Sequence, residues 1–221
     1  MPTADSRVVV VGAGGHGSEV YAYIRHLTQH GWAGEFLGFL DDSLPPGVHG
    51  TLPVLGSLAD FAARSVEALQ GVRYLTAVGD NPTRRQLVHR IEEALGARVP
   101  AWTLIHPSAF AEACEIGEGT LLAPHTIVNA RARIGRHCIL NVKASVSHDC
   151  EVGDFVNLNP GVTICGRCHI GDGAYIGAGA TVVDRIHIGE GAIVGAGAVV
   201  IRDIPPHVTA VGIPAQVIKT H

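Results

Sequence analysis

Aromatic and charged residues are scarce in this sequence. Phe, Trp and Tyr make up 5% of its 221 residues, and Asp, Glu, Lys and Arg make up 16%, whereas glycine alone contributes 28 residues. So few large rings and so many glycines suit a fold with many tight turns and small packing layers. The formal net charge of -4 argues against a nucleic-acid or membrane-surface partner, because both attract cationic proteins.

Long apolar runs are absent as well. No segment approaches the roughly 18 apolar residues that a membrane-spanning helix needs. The short run at residues 8–11 leads into a glycine turn and lacks a cationic flank and a small-residue cleavage site, so it predicts a strand and not a signal peptide. The five cysteines form an odd number without a secretory signal, which argues against a disulfide framework and favours a cytoplasmic protein.

Aliphatic residues recur at every sixth position of the C-terminal half. The series is Ile116, Leu122, Val128, Ile134, Leu140, Val146, Val152, Leu158, Ile164, Ile170, Ile176, Val182, Ile188, Val194 and Val200. A second series with the same step runs from Thr120 to Ala198 and consists mostly of small residues. Ile or Val followed by Gly recurs every eighteen residues, from Ile116-Gly117 to Ile188-Gly189, so three hexapeptides make one triangular coil.

Coils of this kind stack as parallel strands about 4.8 Å apart. Stacking buries a continuous core that no single repeat buries alone. We therefore predict a left-handed parallel β-helix, a hexapeptide-repeat solenoid, with about five coils between residues 116 and 205. Cys138, Cys150 and Cys168 occupy the small-residue position, which predicts buried structural thiols and weakens the case for zinc at Cys165 and Cys168. No metal is expected.

The N-terminal half alternates strand and helix patterns. Residues 7–12 form an apolar run, and Gly12–Gly17 then matches G-x-G-x-x-G ahead of a helical pattern at 18–30. Further strands are predicted at 35–40 and 74–78, and helices at 57–69 and 82–95. We predict an α/β Rossmann-like domain at residues 1–104, followed by the β-helix domain at residues 105–221.

The glycine turn has more than one interpretation. Backbone N–H groups at the start of the following helix could hold the phosphates of a nucleotide sugar, or of a dinucleotide whose ribose meets Asp41 or Asp42. We favour the nucleotide sugar, because an α/β segment of about 100 residues followed by a solenoid leaves no usual catalytic domain for hydride transfer. A packing turn without a ligand stays open as a third interpretation.

Residues eighteen apart stack in such a solenoid, so a functional site there forms a column. One column reads Ala130, His148, Gly166, Asp184 and Arg202. The imidazole of His148 could take a proton from an attacking amine or hydroxyl, with Asp149 orienting the ring. The N–H near Gly166 could face a developing oxyanion, and Arg202 could meet an anionic ligand along the stack.

Several segments together resemble one known family. They read VVVVGAGGHGSEV, FLGFLDD, LPVLG, VGDNPTRR, LIHPSA, NVKASVSHDCEVGD and DIPPHVTAVGIPAQVIK. Over nearly its whole length the chain is similar to the bacterial nucleotide-sugar acetyltransferases, which join a small Rossmann-like domain to a left-handed β-helix. This family includes sialic acid O-acetyltransferase-like proteins and N-acetyltransferases that act on UDP- or GDP-linked 4-amino-4,6-dideoxy sugars.

The resemblance implies an acetyl-CoA-dependent enzyme with direct transfer and no acyl-enzyme. It assigns the general base to His148 and the acidic residue that tunes it to Asp149. The implied nucleotide-sugar contacts are Gly14, Gly15, His16, Asp41, Asp42 and Asn141, and Gly166 is implied to meet the acetyl carbonyl. We also expect Asp184, Arg202 and Lys219 to contact acetyl-CoA. Acetyl-CoA would lie in a cleft between neighbouring β-helices of a homotrimer. The tail segment Gly212–Gln216 lacks the Lys or Arg that many relatives carry after its alanine, so Arg202 or Lys219 is expected to meet the CoA phosphates.

Three other activities fit parts of the pattern. O-acetylation of a sugar such as sialic acid uses the same machinery and differs only in the acceptor. A β-helix carbonic anhydrase needs zinc held by three histidines of adjacent coils, and the paired spacing expected of it is absent around His148. A non-catalytic nucleotide-sugar sensor would not need the His148–Asp149 pair. We expect N-acetylation of the 4-amino group of a GDP- or UDP-linked amino-dideoxy sugar, in the synthesis of a glycan such as an O-antigen.

Overall fold

The computed structural model describes residues 6–221. Its contacts divide the chain into two compact units, Met1–Leu104 and Ile105–His221. The predicted N-terminal domain begins at residue 1, so its first residues, 1–5, lie outside the described range. None of the helices in residues 6–221 combines the length and the apolar character needed to cross a membrane.

The first unit contains a five-stranded sheet with the order β3-β4-β2-β1-β5. Its elements are β1 (Arg7–Val11), α1 (Gly15–Gln29), β2 (Glu35–Leu40), β3 (Gly47–His49), β4 (Leu52–Gly56), α2 (Leu58–Ala62), α3 (Val66–Leu69), β5 (Val72–Thr76), α4 (Asn81–Leu95) and a 3₁₀ turn (Gly96–Arg98). Strand β1 is parallel to both β2 and β5. Its position inside the sheet follows from its sequence, because Val8, Val9 and Val10 are fully buried and a continuous apolar run needs cover on both faces.

Some predicted elements of this unit differ from the observed ones. The predicted helix at 57–69 is split into α2 and α3, because the side chain of Ser65 accepts a hydrogen bond from the N–H of Ala68 and starts a new helix. The strand predicted at 74–78 lies two residues earlier, at Val72–Thr76. The sequence pattern does not predict the pair β3 and β4, since β3 has three residues and β4 contains a proline.

The second unit is a stack of short strands on three sheets. Its first strands are β6 (Leu104–Ile105), β7 (Phe110–Ala111), β8 (Glu115–Ile116), β9 (Leu121–Leu122), β10 (Ile127–Val128), β11 (Arg133–Ile134), β12 (Ile139–Leu140), β13 (Ser145–Val146) and β14 (Glu151–Val152). They are followed by β15 (Asn157–Leu158), β16 (Thr163–Ile164), β17 (His169–Ile170), β18 (Tyr175–Ile176), β19 (Thr181–Val182), β20 (His187–Ile188), β21 (Ile193–Val194), β22 (Val199–Val200), β23 (Val208–Val211) and β24 (Gln216–Thr220). Neighbouring strands pair in parallel one coil apart, as Ile134 does with Ile116, except that the last two strands, β23 and β24, are antiparallel. The predicted hexapeptide-repeat β-helix is confirmed.

The core of the β-helix consists of the two series that recur every sixth residue. Every member of the aliphatic series from Leu122 to Val200 is buried, and so is every member of the small series from Thr120 to Ala198. The cysteines of the small series, all buried free thiols, are Cys138, Cys150 and Cys168. The same two positions of each hexapeptide are therefore buried along the whole stack, as the sequence predicts.

One edge of the β-helix carries a column of residues in the left-handed backbone conformation. The column begins at Ala113, with a φ angle of 53°, and continues through Arg131, Asp149, Arg167 and Arg185, whose φ angles lie between 59° and 64°. The N–H of Asp149 donates to the carbonyl of Ala130 in the preceding coil. The N–H of Arg167 donates in the same way to the carbonyl of His148. Successive members of this column therefore lie one coil apart, and one aspartate is placed among three arginines.

Candidate active site

His148 lies at a corner of the β-helix between two of its sheets. It follows β13 and precedes β14, and 45% of its side chain is exposed. Its Nδ1 lies 2.7 Å from Oδ2 of Asp149, the next residue. A carboxylate only accepts hydrogen bonds, so in the neutral imidazole Nδ1 carries the proton and Nε2 is left with a lone pair. The two residues therefore have the geometry of an oriented general base.

A third side chain joins this pair from the preceding coil. Arg131 donates from Nε to Oδ1 of Asp149 at 2.6 Å and from Nη2 to Oδ2 at 3.0 Å. These two bonds form a bidentate pair that fixes the plane of the carboxylate. The hydrogen bonds from Arg131, and then from His148, hold the pKa of Asp149 well below its ordinary value, so this carboxylate is ionised at neutral pH.

Gly166 lies one coil beyond His148 and against its ring. A Cβ at this position would lie 2.9 Å from Nε2 and 3.0 Å from Cε1 of His148, so the imidazole occupies the space that a side chain would need. The N–H of Gly166 donates no hydrogen bond to any residue from 6 to 221. An unused N–H beside the free nitrogen of a general base can stabilise an oxyanion. The predicted stacking of His148 on Gly166 is observed.

The remaining predicted acetyl-CoA contacts are exposed. The carboxylate of Asp184 lies 3.6 Å from Nε of Arg185. Arg202 is exposed beyond β22, and Lys219 lies on β24 opposite Thr209. Within residues 6–221 no hydrogen bond or ion pair joins Asp184, Arg202 and Lys219 to one another, so their assignment to acetyl-CoA stays a prediction.

Asn141 lies at a different corner from His148. It follows β12, whereas His148 follows β13, so the length of one strand separates the two turns within a coil. Its Oδ1 accepts a hydrogen bond from the N–H of Val142 at 2.7 Å. The structure does not bring Asn141 into contact with His148 among the described residues, and its role near the acceptor sugar stays a prediction.

The glycine turn of the first unit leaves the start of α1 open. The helix begins at Gly15 with an extended Gly14 as its N-cap, and no described side chain caps it. A Cβ at Gly14 or at Gly15 would meet nothing within 4 Å. The first N–H groups of the helix therefore face open space at the positive end of the helix dipole. This arrangement can bind a phosphate oxygen.

Two further residues of this turn are packed tightly. Nδ1 of His16 lies 2.9 Å from a carboxylate oxygen of Glu19, whereas Nε2 of His16 is buried without a hydrogen-bond partner in the described part of the chain. A Cβ at Gly17 would collide with the carbonyl oxygen of Gly12, so α1 lies directly against the turn. The helix start is thereby fixed in place, with one buried ring nitrogen that a ligand could satisfy.

Both aspartates at the end of β2 bond to the protein itself. Oδ2 of Asp41 accepts from the N–H of Ala13 at 2.9 Å, which ties β2 to the glycine turn. Burial raises the pKa of Asp41, but hydrogen bonds from Ser43 and Ala13 outweigh it, and the pKa lies below its ordinary value. Asp42 pairs with Arg90 of α4 at 2.6 Å. Asp41 therefore adjoins the predicted nucleotide turn, whereas Asp42 is engaged in holding α4.

A pair of histidines lies on an exposed face of the β-helix. His169 on β17 and His187 on β20 have ring centroids 5.8 Å apart, and each lies beside a carboxylate, from Glu151 and Asp203 respectively. A cleft of about 550 Å³ adjoins them, and His148 is not among its lining residues. No group of three or more His, Cys, Asp or Glu residues from 6 to 221 is arranged to hold a metal ion.

Known proteins resemble both units. The PglD N-terminal domain matches residues 7–91, and the bacterial transferase hexapeptide (six repeats) matches residues 167–202. The acetyltransferase domain of PglB from Neisseria gonorrhoeae has a TM-score of 0.84 and 34% identity, covering 97% of this chain and 100% of that one. This chain belongs to the bacterial nucleotide-sugar acetyltransferases. The predicted family is thereby confirmed.

Further members of this acetyltransferase family have been seen with ligands. PerB from Caulobacter crescentus, in complex with CoA and GDP-perosamine, has a TM-score of 0.82 and 33% identity, covering 99% of this chain and 100% of that one. The PglB domain has also been solved with acetyl coenzyme A. A GDP-perosamine N-acetyltransferase from Escherichia coli O157:H7 is 30% identical over 154 residues, which span 69% of this chain and 66% of that protein.

Arg131 is not among the site residues predicted from the sequence of this acetyltransferase. It lies eighteen residues before Asp149, one full coil, and carries the opposite charge. A charge pair at the spacing of one coil is the signal that could have found it. The column predicted through His148 does not contain Arg131, because Arg131 lies eighteen residues before Asp149 and therefore belongs to the neighbouring column. Its contact with the imidazole is indirect, through the carboxylate of Asp149.

Proposed function

We propose that this protein transfers the acetyl group of acetyl-CoA to the 4-amino group of a nucleotide-linked amino-dideoxy sugar. The observation that carries the proposal is the free Nε2 of His148 beside the unused N–H of Gly166. A GDP-linked sugar is the favoured acceptor, because PerB binds GDP-perosamine together with CoA and the E. coli relative is a GDP-perosamine N-acetyltransferase. Family membership supports acetyl-CoA as the donor.

His148 acts as the general base in this proposal. Its Nε2 removes a proton from the amine while the amine nitrogen attacks the carbonyl carbon of the thioester. The N–H of Gly166 donates to the oxyanion that forms on the carbonyl oxygen. The C–S bond then breaks, and the CoA sulfur leaves as a thiol with the proton from the imidazolium. The products are the N-acetylated sugar nucleotide and CoA, and no acyl-enzyme forms.

The glycine turn of the first unit binds the nucleotide in this proposal. The open N–H groups at the start of α1 receive phosphate oxygens, and Gly14 and Gly15 leave room for their close approach. The buried Nε2 of His16 suits a hydrogen bond to the bound sugar nucleotide. Asp41 holds the turn in place through the N–H of Ala13.

The remaining contacts with acetyl-CoA and the sugar, and the oligomeric state, are proposed from membership of the family. Arg202 and Lys219, both exposed cations, meet the CoA phosphates, with Asp184 in the same column as Arg202. Asn141 contacts the acceptor sugar. Three copies of the chain form a trimer in which acetyl-CoA lies between neighbouring β-helices. We place the reaction in the cytoplasm, where acetyl-CoA is supplied.

Release of thiol from acetyl-CoA tests the proposed activity. The purified protein is offered GDP- and UDP-linked 4-amino-4,6-dideoxy sugars, GDP-perosamine among them, and also sialic acid and its CMP conjugate as hydroxyl acceptors. We expect thiol release with a 4-amino sugar nucleotide, and a product that mass spectrometry identifies as its N-acetyl derivative. The 4-hydroxy counterpart of the same sugar nucleotide is the matched control, because it lacks the nucleophilic amine.

Two outcomes of this panel would overturn the proposal. Release with sialic acid alone would show O-acetylation by the same fold. Binding of a sugar nucleotide without thiol release from any acceptor in the panel would show a nucleotide-sugar sensor rather than an enzyme.

A further inference from the structure

Asp149 has arginines on both sides along the edge of the β-helix. Arg131 precedes it by one coil and Arg167 follows it by one coil, and all three share the left-handed corner conformation. Asp149 pairs with Arg131, whereas the guanidinium of Arg167 forms no hydrogen bond or ion pair with any residue from 6 to 221. Because the two arginines come from opposite neighbouring coils, the choice between them decides which way the carboxylate faces.

We propose that Arg131 is a positioning residue, which holds Asp149 against Nδ1 of His148 and so keeps Nε2 free as the base. The inference rests on the proposed function, in which His148 is that base. Arg131 acts through Asp149, since its contacts with this cluster are to the two carboxylate oxygens.

The geometry of the carboxylate carries this inference. Oδ2 of Asp149 receives Nδ1 of His148 at 2.7 Å and Nη2 of Arg131 at 3.0 Å, while Oδ1 receives Nε of Arg131 at 2.6 Å. Two bonds from one planar guanidinium restrict rotation of the carboxylate, which a single point charge does not. A fixed Oδ2 selects the imidazole tautomer with its proton on Nδ1. The other tautomer has no lone pair on Nε2 with which to accept a proton from the amine.

The solvent exposure of the ion pair between Arg131 and Asp149 distinguishes a positioning role from a contribution to the stability of the fold. In the single chain, the side chain of Arg131 is 69% exposed and that of Asp149 is 30% exposed. An ion pair this exposed adds little to the free energy of unfolding, because solvent screens the charges. Without Arg131, the carboxylate is free to turn toward Arg167 and away from the imidazole. Loss of Arg131 is therefore expected to change catalysis and to leave the fold intact.

Three variants test the inference by steady-state kinetics. Arg131→Gln removes the charge and the bidentate geometry, Arg131→Lys keeps the charge, and Arg133→Gln is the matched control. Arg133 is an exposed arginine of the same coil that pairs with Glu115 and Glu151 at 3.6 and 3.5 Å. We expect Arg131→Gln to lower kcat by roughly tenfold to a hundredfold with little change in either KM. Arg131→Lys should recover part of this loss, and Arg133→Gln should match the wild type.

Imidazole ¹⁵N NMR on the substrate-free protein provides a readout that needs no acetyl transfer. The His148 resonances are assigned by their loss in His148→Gln. We expect the Nδ1-protonated tautomer to dominate in the wild type and in Arg133→Gln, and the Nε2-protonated tautomer to gain population in Arg131→Gln. An unchanged tautomer in Arg131→Gln would overturn the inference whatever the rate does. A tautomer shift in a protein that releases no thiol would support the positioning role and reject the proposed function alone.

Discussion

His148 is a half-buried corner residue whose proposed role as general base depends on residues of three successive coils. Arg131 and Asp149 hold the Nδ1 side of its ring, and Gly166 leaves room on the Nε2 side. Each of these residues alone would be an ordinary position on a solenoid surface. The stacking of coils brings them together, so a fixed spacing defines the site and no short motif does.

Replacing Gly166 by alanine tests the contact between the glycine and the imidazole. A Cβ there would lie 2.9 Å from Nε2 of His148, and the ring can move because it is a side chain. We expect kcat to fall on the order of a hundredfold, since a base displaced by about 1 Å is poorly aligned. The free energy of unfolding should change by less than about 1 kcal/mol, because alanine already occupies this corner one coil before His148, at Ala130. Steady-state kinetics and thermal denaturation followed by circular dichroism measure the two effects.

The double variant with His148→Ala and Gly166→Ala is the control for this prediction. Once the imidazole is gone, the added methyl group has nothing to displace, so Gly166→Ala should cause no further loss of activity in that background. A Gly166→Ala protein with the wild-type kcat would contradict the assigned contact.

The hexapeptide repeat predicts the contact between His148 and Gly166 but not the contact between Arg131 and Asp149. His148 and Gly166 fall in one column, so their contact follows from periodicity alone. Arg131 meets Asp149 through side-chain rotamers on left-handed corner residues, and no hydrophobic period specifies either feature. The repeat also does not explain the predicted role of Asn141. The family resemblance implies that Asn141 lies near the acceptor sugar, whereas its turn lies at a different corner from His148.

At the scale of elements, the two long helices of the first unit begin in different ways. The N-cap of α1 is an extended glycine, Gly14, and no described side chain caps the helix. The N-cap of α4 is Asp80, whose carboxylate accepts hydrogen bonds from the N–H and the hydroxyl of Thr83, and Pro82 follows in the first turn. The open end serves the proposed nucleotide site, whereas the capped end stabilises the packing of the unit.

Removal of the α4 cap should destabilise the first unit. We expect Asp80→Ala to lower its free energy of unfolding by about 1 kcal/mol at neutral pH, and Asp80→Asn to cost much less because asparagine also caps helices. Both tryptophans of the chain, Trp32 and Trp102, belong to this unit, so tryptophan fluorescence during urea unfolding reports its stability. Equal stability of the Asp80→Ala protein and the wild type would contradict the capping role.

The same cap has a pH dependence of definite sign. Hydrogen bonds from the hydroxyl and then the N–H of Thr83 lower the pKa of Asp80 below its ordinary value. A carboxylate with a lowered folded pKa adds stability that is present above its unfolded pKa of about 3.9 and is lost as the pH falls through the folded pKa. The difference in stability between the wild type and Asp80→Asn should therefore shrink below about pH 4. If the difference in stability between the two proteins stays constant below about pH 4, the charge of Asp80 does not contribute to the stability of the folded protein.

Element boundaries follow the sequence where one signal dominates. The second predicted strand is found at Glu35–Leu40, and α4 starts one residue before its predicted position. α1 starts three residues earlier than predicted. Gly15 and Gly17 have low helix propensity, so the sequence pattern places the start of the helix after them. The close contact of Gly17 with the glycine turn overrides that preference. The sequence pattern records the propensity but not the contact.

At the scale of the whole molecule, the sequence determines the structures of the two units in different ways. The β-helix repeats one rule of packing, so the sequence predicts nearly every buried position in its stack. The α/β unit has no period beyond its single elements, and features such as β3, β4 and the break between α2 and α3 depend on local turns. Neither pattern identifies the acceptor sugar, because side chains that touch the ligand decide specificity and the fold does not.

The proposed reaction depends on His148 as the base of acetyl transfer. The most direct test compares kcat of the wild type and of His148→Gln for transfer from acetyl-CoA to a GDP-linked 4-amino sugar, with circular dichroism confirming that both proteins are folded. Loss of a general base predicts that kcat falls by about 10²- to 10⁴-fold in a variant with a native spectrum. A folded His148→Gln protein that turns over near the wild-type rate would contradict the proposed role of His148.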